Sequence, residues 1–383
     1  MKIAYTSNNK IYSTDFQGVT EIPCERINKY KNILDDIRRR NEWKTTGRGA
    51  QFTGTAMSYD ERLEVPATVS GLGDIGGQLI YSVILDESGG MYSRSYDASD
   101  TDEGLILSGR SMYFGSFDCY NGKNAVSMGS SPSSLHIAGI TPPSAVYTEY
   151  TDGDTTEEFP SWSRTKNGIY FSTAGYARNR HGSIAATSPR AGAFLNLDTN
   201  TMEEILTNPE YDYLRLKEGA DGSLYYIRQN YRESKGVGNA IKDFILFPYR
   251  IIQGLFGWLN FMCMMWGGES LKSGDNPDDM LKSRNRSKKD VIIEGNVIKA
   301  DKIAKVESRK GEAIALMPLS RVLIKRTADG SEEIIARGVL DYMLCSDGSI
   351  AVSDGGRIIV IDSSGKTVCS KRARFAMNLT ECT

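Results

Sequence analysis

The chain has 383 residues and a net charge of −2, and 40% of its residues are hydrophobic and 25% charged. This balance is typical of a soluble protein of one or two domains, and it excludes a chain-wide attraction to nucleic acid, so no nucleic-acid partner is expected. The six Cys show no metal-ligand spacing and residues 1–10 contain no apolar signal core, which together predict a cytoplasmic protein with free thiols.

The first predicted elements are a hairpin and a helix. Residues 2–6 and 10–15 are strand-like and flank the turn pair Asn8-Asn9. Residues 25–41 are predicted to be helical because apolar residues recur there at three- and four-residue steps: Ile27, Tyr30, Ile33, Leu34 and Ile37. Two interpretations remain for this helix, which either packs on the rest of the fold or binds a partner.

Two sets of short strands follow the helix. The first lies within residues 59–107, with strands at 79–84 and 91–93 and a predicted turn at Ser88-Gly89-Gly90. The second has strands at 111–115, 125–128 and 134–138. Strands at this spacing, separated by turns, favour an up-and-down β structure over βαβ units.

Residues 159–204 carry the strongest strand pattern in the chain. Strands are predicted at 168–172, 183–186, 193–197 and 202–206. Asn167-Gly168 is predicted to form a tight hairpin turn because both residue types tolerate positive φ. The turn cluster Asp198-Thr199-Asn200-Thr201 separates the last two strands.

This stretch resembles the repeat of TolB-like and WD40-like six-bladed β-propellers. The matching segments are Pro160-Ser161-Trp162-Ser163, Asn167-Gly168-Ile169-Tyr170-Phe171-Ser172 and Phe194-Leu195-Asn196-Leu197-Asp198. The usual repeat reads P-x-W-S-x-D-G-x-x-I-x-F, so Asn167 stands where Asp is usual, and Arg164-Thr165 where Pro-Asp is frequent. The clear repeat covers residues 160–198, and it implies a fold without implying a function.

Two further sets of strands complete the pattern. One opens at residues 221–228, is interrupted by residues 232–289, and resumes at 321–325 and 332–336; the other spans 347–369. We therefore predict an all-β protein, a single β-propeller over residues 1–383 with six blades, five or seven being the alternatives. Both termini are predicted to share one sheet and so close the ring.

The segment 232–289 is predicted to be an inserted, mainly helical and strongly apolar element in a late blade. Arg250, Gln253, Gly257 and Asn260 form a narrow polar stripe on it. The predicted membrane or partner contacts are Phe244, Phe247, Ile251, Leu255, Phe256, Trp258, Leu259, Met262 and Trp266. A basic flank follows, made of Lys282, Arg284, Arg286, Lys288 and Lys289.

Topology argues against a membrane-spanning role for this insertion. A single span would separate residues 1–231 from 287–383, although the two parts must meet to close one ring. Three interpretations remain: attachment to an anionic membrane surface by the apolar helix and basic flank, contact with a partner or a second copy of the chain, and packing within the protein. The first interpretation, attachment to an anionic membrane surface, places the protein peripherally at the inner face of the membrane.

The sequence shows no catalytic set, cofactor site or metal site. Gly71, Gly73 and Gly76 match a dinucleotide-binding spacing, but they precede a strand and open no helix. Arg178, Arg180, His181 and Arg190 form a candidate anion contact. Two functions follow: a non-catalytic propeller scaffold that binds a protein or peptide, or, as the alternative, a lactonase- or glycan-active enzyme with acidic or His side chains converging on its central channel.

Overall fold

The computed structural model describes residues 1–45, 67–85, 88–97, 99–142, 146–178, 184–231, 291–293, 296–298 and 315–382. Within these ranges, six antiparallel sheets each contain a path of four hydrogen-bonded strands. One edge strand of each path contacts the corresponding edge strands of the neighbouring sheets, which arranges the six sheets around a common axis. The protein is therefore a six-bladed β-propeller, as the strand spacing and the repeat at residues 160–198 predicted.

Blades 1 to 3 are built from the first eleven strands of the chain together with its last strand. From the axis outward, blade 1 is β27 (Met377–Glu381), β1 (Ile3–Ser7), β2 (Lys10–Thr14) and β3 (Val19–Ile22). Blade 2 is β4 (Ala67–Ile75), β5 (Gln78–Leu85), β6 (Ser88–Arg94) and β7 (Glu103–Arg110). Blade 3 is β8 (Tyr113–Tyr120), β9 (Lys123–Ser131), β10 (Ser134–Ile140) and β11 (Tyr147–Glu149).

The other three blades complete the ring. Blade 4 is β12 (Thr155–Trp162), β13 (Gly168–Arg178), β15 (Ala191–Asn196) and β16 (Thr201–Leu206), with β14 (Ile184–Thr187) paired to β13 beside this path. Blade 5 is β17 (Tyr211–Glu218), β18 (Leu224–Asn230), β21 (Val322–Arg326) and β22 (Glu332–Arg337). Blade 6 is β23 (Asp341–Leu344), β24 (Ile350–Ser353), β25 (Arg357–Ile361) and β26 (Thr367–Arg372).

Blade 1 combines the two ends of the described chain. Ile3 pairs with Glu381 and Ala4 with Thr380, so the last strand is the innermost strand of a sheet whose other strands come first in sequence. The backbone N–H of Cys382 also donates to the carbonyl of Lys2 over 2.9 Å. This pairing covers strand edges that an open array of blades leaves exposed.

Apolar side chains on alternate strand positions fill the spaces between blades. Ile169 and Phe171 of β13 pack with Ala125 in the cluster between blades 3 and 4. Tyr170 lies between them in sequence, and it joins Phe194 in the cluster between blades 4 and 5. Because successive residues of a strand point to opposite faces, one run of apolar residues packs against both neighbouring blades.

Two details of the predicted strands were wrong. Residues 183–186 were predicted to form a blade strand, but β14 lies off the four-stranded path, and β12 supplies the innermost strand instead. Ser88-Gly89-Gly90 was predicted as a turn, but Ser88 pairs with Leu85 and Gly90 with Val83 inside the β5–β6 ladder. Glycine is needed there for space, because a Cβ on Gly89 would lie 2.4 Å from the carbonyl oxygen of Met112.

The prediction of positive φ at Asn167-Gly168 was also wrong. Neither residue is among those with positive φ in the described chain. A Cβ on Gly168 would lie 2.5 Å from the carbonyl oxygen of Leu195 and 2.4 Å from Cζ of Phe194. Gly168 is therefore required because β15 approaches its backbone closely.

We expect Gly168→Ala to lower the free energy of unfolding by about 1–3 kcal/mol, since the added methyl must displace backbone as well as a ring. Urea unfolding monitored by circular dichroism measures the change. Gly222→Ala is the contrasting variant: its Cβ meets nothing within 4 Å, and its φ of +76° tests conformational strain without steric overlap. A fully stable G168A protein would contradict the close-approach explanation.

The predicted N-terminal helix is α1 (Glu25–Thr45). Its first two backbone N–H groups, from Glu25 and Arg26, donate to the carboxylate of Glu103 over 2.8 and 3.1 Å. Ile27 is buried in the cluster between blades 1 and 2, whereas Ile33 is 57% exposed. The contacts described between the helix and the propeller therefore lie near the beginning of the helix.

The predicted insertion lies outside the described residues, apart from the flanking two-stranded sheet of β19 (Val291–Ile293) and β20 (Asn296–Ile298). The chain leaves blade 5 after β18 and re-enters it with β21. In the part of the chain that the structure describes, no helix has the length and apolar character needed to cross a bilayer.

Candidate binding site in the central channel

Innermost strands of blades 4 and 5 carry β-bulges, which change the direction of individual side chains. In β12, pairing shifts between Glu158 and Ser161, and in β17 between Leu214 and Lys217. The residues at these shifts include Phe159 with φ of 58° and Arg215 with φ of 55°. Positive φ is rare and costly for large side chains, and such strain concentrates at functional positions.

Neighbouring blades satisfy the backbone groups that these bulges remove from the ladder. The N–H of Phe159 donates to Oγ of Ser116 in blade 3 over 3.0 Å. The N–H of Leu379, in the bulge of β27, donates to Oδ2 of Asp341 in blade 6 over 3.2 Å. The bulges therefore keep their hydrogen bonds only within the assembled ring.

Arg215 links three consecutive blades beside the axis. Its guanidinium carbon lies 4.2 Å from the ring centroid of Phe159 in blade 4. Its Nη1 lies 3.4 Å from Oδ1 of Asp341 in blade 6. Arg215 is 7% exposed and Asp341 2% exposed, so this is a buried ion pair extended by a cation–π contact.

Lys217 lies two residues further along β17. Its Nζ donates to the carbonyl of Tyr342 over 3.3 Å and lies 5.5 Å from the centre of the Tyr342 ring. Burial lowers the pKa of Lys217; the charges of Asp341 and Asp118 oppose this shift, and Arg215 and Arg164 reinforce it. Charged side chains from four blades therefore act on this ammonium, and the Lys217 side chain keeps partial contact with solvent.

Arg164 and Asp118 lie at the end of the channel where the innermost strands end. The guanidinium carbon of Arg164 is 4.0 Å from the ring centroid of Tyr120, and its Nη2 is 3.8 Å from Oδ2 of Asp118. Asp118 also accepts the backbone N–H of Trp162 over 2.9 Å. We call the group of Asp118, Arg164 and Lys217 the channel mouth.

Glu218 fixes the loop that carries Arg164. Its carboxylate accepts hydrogen bonds from the Ser163 hydroxyl (2.5 Å), the Arg164 N–H (2.7 Å) and the Thr165 hydroxyl (2.7 Å). Burial by itself raises the pKa of Glu218, but the hydrogen bonds to its ionised form prevail and the pKa lies below its ordinary value. Blade 5 thereby holds the blade 4 loop against the channel.

We expect Glu218→Gln to lower the free energy of unfolding by about 1–3 kcal/mol at pH 7, the usual range for hydrogen bonds to a charged group. The folded-state pKa is the lower one, so the carboxylate stabilises the fold above its unfolded pKa. This contribution is lost as the pH falls through the folded pKa. The difference between wild type and E218Q should thus shrink below about pH 4.

Urea unfolding at pH 7, 5 and 3.5 measures this pH dependence. Glu203→Gln is a suitable control because Glu203 is exposed on β16. A difference between wild type and E218Q that stays constant across the three pH values would contradict the role of the ionised carboxylate.

The predicted anion contact is only partly within the described residues. Nε of Arg178 lies 2.7 Å from Oδ1 of Asp154, and Nε of Arg190 lies 2.8 Å from Oε2 of Glu158. Both arginines therefore have carboxylate partners. Arg180 and His181 lie outside the described residues, as do the predicted apolar contacts of the insertion and its basic flank.

Sequence reasoning missed the channel mouth. Arg164 was noted only as a departure from the propeller repeat, and Lys217 precedes the predicted opening of its blade. Arg164 lies in the connection between β12 and β13, and Lys217 lies just before the connection between β17 and β18. This shared position at the end of an innermost strand was the available signal. In the described ranges, no group of three or more His, Cys, Asp or Glu side chains is placed to hold a metal ion.

No protein-family model matches the chain, and the comparison with curated proteins finds no match. Among solved structures, TolB from Acinetobacter baumannii is similar over 100% of this chain and 66% of its own length, with 10% identity and a TM-score of 0.47. A gluconolactonase from Xanthomonas campestris covers 80% of this chain and 76% of its own length, with 9% identity and a TM-score of 0.42.

A puromycin-hydrolyzing peptidase from Mycobacterium tuberculosis is similar over 80% of this chain and 47% of its own length, with 11% identity and a TM-score of 0.39. The chain thus spans less than half of that peptidase. TolB is thus among the solved structures to which this chain is similar. The six-bladed assignment itself rests on the strand pairing described above.

Proposed function

We propose that the protein is a β-propeller scaffold that binds a protein or peptide partner at the channel mouth. The observation that carries this proposal is the inward set of charged and aromatic side chains on strained, bulged strands. Arg215 has a positive φ of 55°, a conformation that costs about 1–3 kcal/mol for a non-Gly residue. A residue held in such a strained conformation beside the axis is expected where it shapes a binding surface.

The chemistry of the channel mouth suits recognition of a polypeptide. Arg164 stacked on Tyr120 offers a flat cationic and aromatic surface, and Lys217 offers an ammonium beside it. Arginine and aromatic side chains contribute strongly to protein interfaces. No observation on the described residues favours the alternative, an enzyme of the lactonase- or glycan-active type.

Selection of phage-displayed random dodecapeptides on the purified protein tests this proposal. We expect enriched peptides to slow backbone hydrogen exchange in residues 163–167 and 217–222, which border the channel mouth. Enriched peptides that protect only outer strands such as β16 and β22 would overturn the assignment of the site. Enrichment no greater than on an unrelated β-propeller would overturn the binding function.

The attachment of this scaffold to a membrane is a second part of the proposal, and it is supported by sequence alone. The apolar residues 244–266 and the basic residues after 281 provide the two kinds of contact that stable peripheral attachment requires. The insertion leaves and re-enters blade 5 between β18 and β21, so the ring of blades does not depend on it for strands.

Co-sedimentation with vesicles tests the attachment. The vesicles contain phosphatidylcholine alone or with phosphatidylserine, and the control protein has residues 240–268 replaced by a Gly/Ser linker. We expect only the intact chain to sediment, and only with the anionic vesicles. Equal sedimentation of both proteins, or of neither, would overturn membrane attachment through the insertion and direct attention to self-association.

A further inference from the structure

We infer that Lys217 and Arg164 together bind a carboxylate group of the partner, either its C-terminal carboxylate or an Asp or Glu side chain. This inference rests on the proposed peptide-binding function and names the chemistry that the site recognises. It follows from three observations: unused donor capacity, the local charge balance, and the fixed positions of both cations.

The first observation is the donor capacity of the two cations. Within the part of the chain that the structure describes, Lys217 makes one hydrogen bond from Nζ, to the carbonyl of Tyr342 at 3.3 Å, although an ammonium has three donors. The Arg164 guanidinium approaches Asp118 only to 3.8 Å, and among the described residues it donates no hydrogen bond. Two cations with free N–H groups thus lie at the same end of the channel.

The second observation is the charge balance around Lys217. The charges that act most on its pKa are those of Asp341, Asp118, Arg215 and Arg164. Together with Lys217 and the ionised Glu218, which accepts the Arg164 N–H, they comprise three cations and three carboxylates. In a site so balanced, a monoanionic carboxylate adds less uncompensated charge than a phosphate dianion, which the carboxylates repel more strongly.

The third observation is that both cations are held in place. The Arg164 backbone is bound to Glu218, the residue after Lys217, and its guanidinium rests on Tyr120. Lys217 rests on Tyr342, whose hydroxyl donates to the carbonyls of Arg215 and Tyr225 over 2.6 and 2.9 Å. The charge of Arg164 contributes to the lowered pKa of Lys217, so the two cations repel one another, and a carboxylate that binds to both relieves this repulsion.

Fluorescence anisotropy with labelled tetrapeptide mixtures, randomised over uncharged residues at the first two positions, tests the inference. The mixtures carry a free C-terminal carboxylate, a C-terminal amide, or a C-terminal amide with Glu at the third position. We expect Lys217→Met and Arg164→Gln each to weaken binding of the carboxylate mixtures about tenfold to hundredfold, as for a charged hydrogen bond. Comparison of the three mixtures shows whether the terminal or the side-chain carboxylate is recognised.

Lys166→Met is the matched control, since Lys166 lies on the same loop but is placed over Phe194, outside the channel mouth. This variant should bind all mixtures like wild type. Equal binding of acid and plain amide mixtures, unchanged in K217M and R164Q, would overturn the carboxylate inference while leaving peptide binding intact.

A second measurement separates the anion site from peptide binding. Acylation of Lys217 by sulfosuccinimidyl acetate is followed by mass spectrometry in sodium acetate and in sodium chloride of equal concentration. We expect acetate to slow the acylation of Lys217 relative to that of Lys166. If no peptide mixture binds but acetate protects Lys217, the proposed function fails and the anion site stands; if acetate gives no protection, the anion site fails.

Discussion

Replacement of Arg321 by methionine is expected to lower the free energy of unfolding by about 3–5 kcal/mol, the range for removing one partner of a buried polar network. Arg321 is 1% exposed and among the largest fully buried side chains in the described chain. Its guanidinium donates to the carbonyls of Val339 and Leu340 over 2.6 and 3.0 Å, and to Oε1 of Gln229 over 2.5 Å.

The size of this effect follows from the position of Arg321. It immediately precedes β21, where the chain re-enters blade 5, and its hydrogen bonds tie that point to β18 and to the residues that begin blade 6. The backbone N–H groups of Gly338 and Val339 also donate to the Arg321 carbonyl, over 2.8 and 3.1 Å. Methionine preserves the apolar stem, so the variant removes chiefly the donors and leaves buried acceptors unsatisfied.

Urea unfolding followed by tryptophan fluorescence and circular dichroism measures the loss. Arg337→Met is the matched control because Arg337 is exposed and pairs with Val322, directly after Arg321, across the β21–β22 ladder. It is expected to change the stability by no more than about 0.5 kcal/mol. Equal stability of R321M and R337M would show that the Arg321 network contributes nothing to the fold.

The ion pair between Arg215 and Asp341 is expected to give the second large effect. Asp341→Asn should cost about 3–5 kcal/mol because it removes the carboxylate charge that faces the buried guanidinium of Arg215 at 3.4 Å. Asp341 also accepts the backbone N–H of Leu379 from blade 1, so the change reaches the blade that closes the ring. Removal of both charges, in Arg215→Met with Asp341→Asn, should cost less than the two single changes added together.

A double-mutant cycle of urea unfolding measures this coupling. We expect a coupling free energy of at least about 1.5 kcal/mol, as for close and desolvated charge pairs. The exposed pair of Arg178 and Asp154, with 39% and 52% of its side chains exposed, is the control and should couple by no more than about 1 kcal/mol. Additive effects at Arg215 and Asp341 would show that their pairing does not stabilise the channel.

Much of the propeller could be predicted because its strands depend on local patterns. The alternation in residues 168–172 and 193–197 locates β13 and β15, and turn residues such as Asp347-Gly348 mark strand ends. Most innermost strands were harder to predict. In β12 and β17 the bulges at residues 158–161 and 214–217 interrupt the two-residue period, so these strands lack the regular alternation that identifies the others.

The sequence by itself therefore determined the all-β class, the approximate number of blades and the place where blade 5 is interrupted, because these follow from the spacing of apolar residues and turns. Only the tertiary structure decided the channel mouth. Lys217, Arg164 and Asp118 belong to three blades and are distant in sequence, and no local periodicity relates them. Their side chains come near one another because the ring brings the ends of the innermost strands to one side of the axis. The interaction between their charges depends on distance in space and on the exclusion of water, and neither quantity can be read from sequence spacing.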